Sequence, residues 1–114
     1  MKRIYHKDLT LERWGRFSFC EQMANIGSEV FRAMSWRQKN WEYSRLAFER
    51  ALELLDLTLE AVTNSGSRLK ELTRLRETLV DYFLFDNAYG SNNKSWETYF
   101  GAFNYAARNH PAKM

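Results

Sequence analysis

The stretch that decides the fold is residues 41–62, WEYSRLAFERALELLDLTLEAV. It contains neither glycine nor proline, and most of its apolar residues are leucine and alanine, which favour helix over strand. When its residues are placed 100° apart, as in an α-helix, apolar side chains cover most of the circumference. A helix in a small bundle buries one stripe, so this segment requires more than one packing partner, from its own chain or from another.

Three further helices are predicted around this segment. The first runs from about residue 11 to 37, and Gly27 lies near the centre of its apolar face, where a missing side chain allows another helix to approach closely. The third begins after Ser67, and the fourth begins after Ser95 and ends before Pro111.

The connections between these helices are short or moderate, which implies that neighbouring helices run antiparallel. The sequence therefore predicts an all-α protein, an antiparallel up-down-up-down four-helix bundle. The bundle forms a single domain over residues 1–114, with an N-terminal arm at residues 1–9 and a C-terminal tail at residues 109–114.

Composition and charge exclude several classes of protein. The 114 residues include 17 Lys and Arg against 14 Asp and Glu, a net charge of +3. No apolar run of about 18 residues occurs, so no transmembrane helix is expected. The single cysteine excludes an internal disulfide and a cysteine zinc site, and a lone thiol without an export signal indicates a cytoplasmic protein.

The chain lacks the residue patterns of the common helical enzymes. Its two histidines, His6 and His110, stand near the termini, and no Glu-x-x-His pair of the di-metal bundles occurs. Arg108 is too close to His110 for the Arg and His pair of small helical ribonucleases. We therefore expect a non-enzymatic protein without a metal or cofactor.

Basic residues concentrate at the N-terminal end, around the turn near residue 38, and at the start of the third helix. Around the turn they alternate with aromatic residues, a pattern that can stack bases and neutralise phosphates. The same pattern occurs on solvated helix faces and in helix–helix corners, and in a corner Trp41 would point inward. The nucleic-acid interpretation assigns a binding role to Arg13, Arg16, Arg37, Lys39, Arg45, Arg68, Lys70 and Arg74.

Arg76 falls within the apolar stripe of the third helix. An unpaired buried guanidinium is costly, so a carboxylate partner is expected. Asp56, Glu29 and Glu53 are the candidates, and Asp81 is less favoured. The pair is either a buried structural link that fixes helix register, or part of an anion site, a ligand pocket or a contact between subunits.

The second apolar side of residues 41–62 predicts self-association. Leu46, Leu54 and Leu57 lie on this side, and we expect them to form the interface of a homo-oligomer.

Two short segments resemble a known family. Residues 23–29, MANIGSE, resemble the Asn-Ile-Ala-Glu stretch of small four-helix-bundle proteins encoded in intervening sequences of bacterial 23S rRNA genes, and residues 51–54, ALEL, resemble that family's Ser-Leu-x-Glu-Leu stretch. The resemblance also implies kinship with the accessory variability determinant (Avd) proteins of retroelements, which are basic bundles that form rings and bind a reverse transcriptase and its RNA. It implies structural roles for Asn25 and Glu29.

These observations lead to two hypotheses. The first is a self-associating accessory or adaptor protein that binds RNA or DNA, or a nucleic-acid enzyme such as a reverse transcriptase. The alternative is a protein-binding regulatory or antitoxin-like module with no nucleic-acid role.

Overall fold

The computed structural model describes residues 9–62 and 65–109, and every regular element within them is an α-helix. The five helices are α1 (Leu11–Gly15), α2 (Phe19–Trp36), α3 (Trp41–Ala61), α4 (Gly66–Leu84) and α5 (Asn93–Asn109). α2 packs against α3 and α5, and α3 also packs against α1 and α4. The all-α prediction is confirmed, and α3 is the helix that most of the others contact.

The prediction of one continuous first helix is wrong, because a break at residues 16–18 divides this segment into α1 and α2. Ser18 and Glu21 form a capping box: the Ser18 hydroxyl accepts from the Glu21 N–H at 3.1 Å, and the Glu21 carboxylate accepts from the Ser18 N–H at 2.8 Å. The side-chain amide of Gln22 donates to the carbonyls of Trp14 and Phe17 at 3.0 and 3.4 Å. These bonds satisfy backbone groups that a continuous helix would have paired.

The break allows α1 to fold back on α3. The indole N–H of Trp14 donates to the Thr58 hydroxyl at 2.8 Å, and that hydroxyl donates to the Leu54 carbonyl at 3.1 Å. Trp14 and Thr58 are both buried. A buried donor with a good acceptor fixes the position of α1 on α3.

We expect Thr58→Val to lower the free energy of unfolding by about 1–3 kcal/mol, because it keeps the shape but leaves the Trp14 indole N–H without an acceptor. Thr58→Ser keeps the hydroxyl and removes one methyl group, so it should cost only about 1 kcal/mol. Urea unfolding followed by tryptophan fluorescence measures both values. Equal losses for the two variants would contradict the role given to the hydrogen bond.

The other helix boundaries depend on local caps. Asn40 accepts from the Tyr43 N–H at 3.2 Å, as an N-cap should, and the predicted start of this helix is confirmed. The predicted N-cap Ser67 is wrong, because α4 already begins at Gly66. α5 begins before Ser95, since the side chains of Asn92 and Ser95 each accept from the backbone N–H of the other.

The predicted N-terminal arm and C-terminal tail lie outside the described residues, except for Leu9 and Asn109. His6 and His110 lie outside them as well. Leu9 packs against the core, and Asn109 is the last residue of α5. Over the described ranges, no helix has a segment long and apolar enough to cross a bilayer.

The contact between α2 and α5 is unusually close at Gly27. A Cβ placed on Gly27 would lie 2.7 Å from Cβ and 2.9 Å from Cγ of Phe100. Both residues are buried. Because the nearest atom is the Cβ of Phe100, which side-chain rotation cannot move, α5 can occupy this position only against a glycine.

Gly27→Ala should therefore force α2 and α5 apart and lower the free energy of unfolding by about 1–3 kcal/mol, as overpacking in a core does. Gly101→Ala is the matched control in α5, where a new Cβ meets nothing within 4 Å. That substitution should raise the free energy of unfolding by up to about 1 kcal/mol, since alanine favours helix over glycine. Thermal or urea unfolding of both variants measures these changes. A Gly27→Ala protein with the same free energy of unfolding as the parent would contradict the prediction.

The wide apolar surface of α3 is largely covered within the chain. Leu54 is 5% exposed and belongs to the hydrophobic core, and the half-buried Leu57 packs against that core. Leu46 is half-buried. The expectation that Leu54 faces another subunit is wrong. The wide apolar face of α3 needs more than one packing partner, and α1, α2 and α4 of the same chain supply them.

Leu54→Ala should lower the free energy of unfolding by about 2–5 kcal/mol, the cost of a core cavity. Its elution volume in size-exclusion chromatography should not change. Leu46→Ala removes a half-buried side chain and should cost about 1 kcal/mol. If Leu54→Ala instead changed the subunit number and left the unfolding of each chain unaltered, the intramolecular role of Leu54 would be disproved.

Candidate nucleic-acid interface

The turn between α2 and α3 carries a group of aromatic and basic side chains that are exposed except for the half-buried Arg37. We call this group the aromatic corner: Trp36, Arg37, Lys39, Trp41 and Tyr43. The backbone of the turn is tight, because the N–H groups of Lys39 and Asn40 both donate to the carbonyl of Trp36, at 2.9 and 2.8 Å.

A hydrogen bond and a ring contact hold the aromatic corner in place. The buried Ser44 hydroxyl donates to the Ala33 carbonyl at 2.7 Å and so joins the start of α3 to the end of α2. Trp36 and Tyr43 meet edge to face, with their ring centroids 5.0 Å apart. The aromatic side chains are thus presented on a backbone that packing and hydrogen bonds keep in place.

The three aromatic residues keep large exposed surfaces. Trp36 is 37% exposed, Trp41 50% and Tyr43 52%. The expectation that Trp41 points inward at a helix–helix corner is therefore wrong, although other side chains of the turn do lock the corner. Buried aromatic rings would serve packing alone, whereas half-exposed rings have faces and edges available to a partner.

Arg37 serves the fold as well as the surface. Its guanidinium donates to the Tyr82 carbonyl at 2.8 Å and lies over the rings of Tyr82 and Phe83, at 4.6 and 5.1 Å from their centroids. These contacts attach the aromatic corner to the end of α4. Lys39, by contrast, is exposed at the turn.

The remaining basic residues assigned to nucleic-acid binding do not gather at the aromatic corner. Arg45 lies one turn into α3 and pairs with Glu49 at 2.6 Å, and the exposed Arg16 pairs with Glu12 at 3.6 Å. Arg13 lies in α1 and is exposed, as is Lys70 in α4.

Two of these arginines lie over aromatic rings. The guanidinium carbon of Arg68 is 4.3 Å from the ring centroid of Phe19, and that of Arg74 is 5.9 Å from that of Tyr89. Arg68 and Arg74 both belong to α4, whereas the aromatic corner is formed by the ends of α2 and α3. The predicted basic residues are therefore distributed over α1, the α2–α3 turn, α3 and α4.

The predicted ion pair is formed by only two of its three members. Arg76 Nε donates to Asp56 Oδ1 at 2.9 Å and links α4 to α3. Glu29 instead pairs with Arg32 on its own helix, at 2.8 Å. The side chains of Arg76 and Asp56 are 40% and 26% exposed, so the expectation of a buried pair is wrong. A pair this accessible contributes little to stability.

Two apolar residues at the end of α4 were missed by the sequence reasoning. Leu84 is 49% exposed and Phe85 71%. The signal was present in the sequence, because these residues follow the last core position, Phe83, and precede the turn residues Asp86 and Asn87. They belong to the same end of the molecule as Arg37, which contacts Tyr82 and Phe83.

Comparison with known proteins found no matching family model, no matching curated protein and no matching solved structure. The resemblance to the intervening-sequence and Avd proteins therefore stays a prediction.

Proposed function

We propose that this protein is a non-enzymatic helical accessory protein that binds single-stranded RNA or DNA through the aromatic corner. The observation that carries the proposal is the exposure of Trp36, Trp41 and Tyr43 around one tight turn, beside the exposed Lys39. Aromatic faces stack on bases of any sequence, and a neighbouring cation neutralises phosphate.

The proposal includes an antiparallel up-down-up-down bundle of the four long helices. Its support is that residue numbers rise along one helix as they fall along its neighbour for two pairs of helices. Between α3 and α4 the contacts are Phe48 with Phe83 and Asp56 with Arg76, and between α4 and α5 they are Glu71 with Tyr99 and Tyr82 with Asn93. In this arrangement the α2–α3 turn lies at one end of the bundle, where a strand of nucleic acid can reach it.

Stacking, rather than charge neutralisation, would supply most of the affinity of the aromatic corner for a nucleic acid. Arg37 is already committed to the Tyr82 carbonyl, and Arg45 to Glu49. Few cations are left to hold phosphates, so stacking has to supply most of the affinity. This predicts a weak salt dependence that corresponds to one or two phosphate contacts.

The second candidate function is binding of a protein partner at the same end of the molecule. Exposed Leu84 and Phe85 favour it, because Leu84 cannot stack on bases and because neighbouring exposed apolar side chains are typical of protein interaction sites. We retain self-association as a proposal that rests on fewer residues, because Leu54 is buried within the chain. Leu46 and Leu57, the other two residues of the predicted interface, are half-buried.

Trp41→Ala should weaken binding of a fluorescent single-stranded oligonucleotide about 5- to 100-fold, the loss expected from removing one stacking platform. Fluorescence anisotropy at fixed low salt measures the effect. Lys39→Ala should lower the slope of log K against log salt by about 0.7, the value for one phosphate contact on a single strand.

Tyr105→Ala is the control, because Tyr105 is an equally accessible aromatic residue, 73% exposed, on α5. It should bind the oligonucleotide as the parent protein does. Absence of binding by the parent protein at low salt would overturn the proposal, as would equal losses in the Trp41 and Tyr105 variants.

A further inference from the structure

A groove with a volume of about 320 Å³ lies between α4 and α5. Leu75, Trp96 and Tyr99 supply apolar surface to it, Thr78 lines one side, and Glu71 and Arg74 are its two charged residues. Ligand pockets commonly measure about 300–1,000 Å³, so the groove has room for a small molecule only.

The acidic side of the groove is fixed by a hydrogen bond between the two helices. The Tyr99 hydroxyl donates to Glu71 Oε2 at 2.6 Å. Burial of the phenol, and then the hydrogen bond and charge of Glu71, raise the pKa of Tyr99 far above its usual value. Tyr99 is thus a neutral donor at physiological pH, and Glu71 keeps a second carboxylate oxygen for another partner.

The basic side of the groove carries a cation without an acidic partner. Arg74 lies over the ring of Tyr89, and over the part of the chain that the structure describes no carboxylate comes within ion-pair distance of it. Arg74 follows Glu71 by three residues on α4, so the two side chains project from the same face of the helix. One positive and one negative group therefore border the same apolar groove.

We propose that this groove binds a free α-amino acid with an aromatic side chain. The carboxylate of the ligand would meet Arg74, its ammonium group would meet Glu71, and its ring would pack on Leu75, Trp96 and Tyr99. The charges support this ligand because a zwitterion can pair with both groups, whereas a simple carboxylic acid leaves Glu71 unmatched and a simple amine leaves Arg74 unmatched. An aromatic ring can pack against the rings of Trp96 and Tyr99 in the lining.

Titration with L-phenylalanine, followed through the indole N–H resonances of the ¹⁵N-labelled protein, tests the proposal. Trp96 lines the groove, and its indole N–H is buried without a hydrogen-bond partner among the described residues. An aromatic ring bound in the groove should therefore shift this resonance through its ring current. We expect a saturable shift of this resonance, with a Kd of roughly 1 mM or tighter. The Trp14 indole, bonded to Thr58, and the Trp36 and Trp41 indoles of the aromatic corner should not shift.

Matched ligands and variants separate the parts of the site. 3-Phenylpropionate, which lacks the ammonium group, and phenethylamine, which lacks the carboxylate, should each bind about tenfold more weakly than phenylalanine. Arg74→Gln should weaken phenylalanine binding by a similar factor, and Thr78→Trp should abolish it by filling the groove. Lys70→Gln removes a neighbouring exposed charge of α4 and should leave binding unchanged.

The proposal is overturned if phenylalanine causes no saturable shift of the Trp96 resonance. It is also overturned if the two truncated ligands bind as tightly as phenylalanine, or if the Arg74 and Lys70 variants behave alike. Each of these results would leave oligonucleotide binding at the aromatic corner untouched, because that experiment reads other residues.

Discussion

The close approach of α5 to α2 at Gly27 is the constraint on which much of the molecule depends. Only a glycine admits the Cβ of Phe100 at this depth, and the resulting position of α5 places Trp96 and Tyr99 beside α4. Trp96 stacks against Phe100, and the ring of Tyr99 packs edge to face against the ring of Phe100. The groove between α4 and α5 is therefore a consequence of a missing side chain on α2.

The polar interactions act mainly at the places where helices change direction. The Ser18 and Glu21 capping box, with the amide of Gln22, allows the chain to turn between α1 and α2. Ser44 and Arg37 join the α2–α3 turn to its neighbours. Because these bonds satisfy backbone groups that the turns leave unpaired, they hold the α2–α3 turn in place with its aromatic rings exposed.

The same contacts explain why charge alone was a poor guide to the candidate site. Arg37 and Arg68 were assigned to phosphate binding because they lie in basic clusters, yet both lie over aromatic rings of the fold. A guanidinium can pack on an aromatic face at little desolvation cost. A count of basic residues cannot distinguish a cation that packs on an aromatic ring from one that remains exposed, such as Lys39. The distinction depends on whether the fold brings an aromatic ring close to the cation.

The sequence by itself determined the helical class, the start of α3 at Asn40, and the role of Gly27, because these follow from propensity, capping and the spacing of apolar residues along one helix. It also named Asp56 as a partner for Arg76. Only the tertiary structure decided that Leu54 is buried within the chain, that Trp41 is exposed and that Glu71 and Arg74 border one groove. Periodicity reports which residues share a face, but which helix covers that face depends on packing between segments distant in the chain.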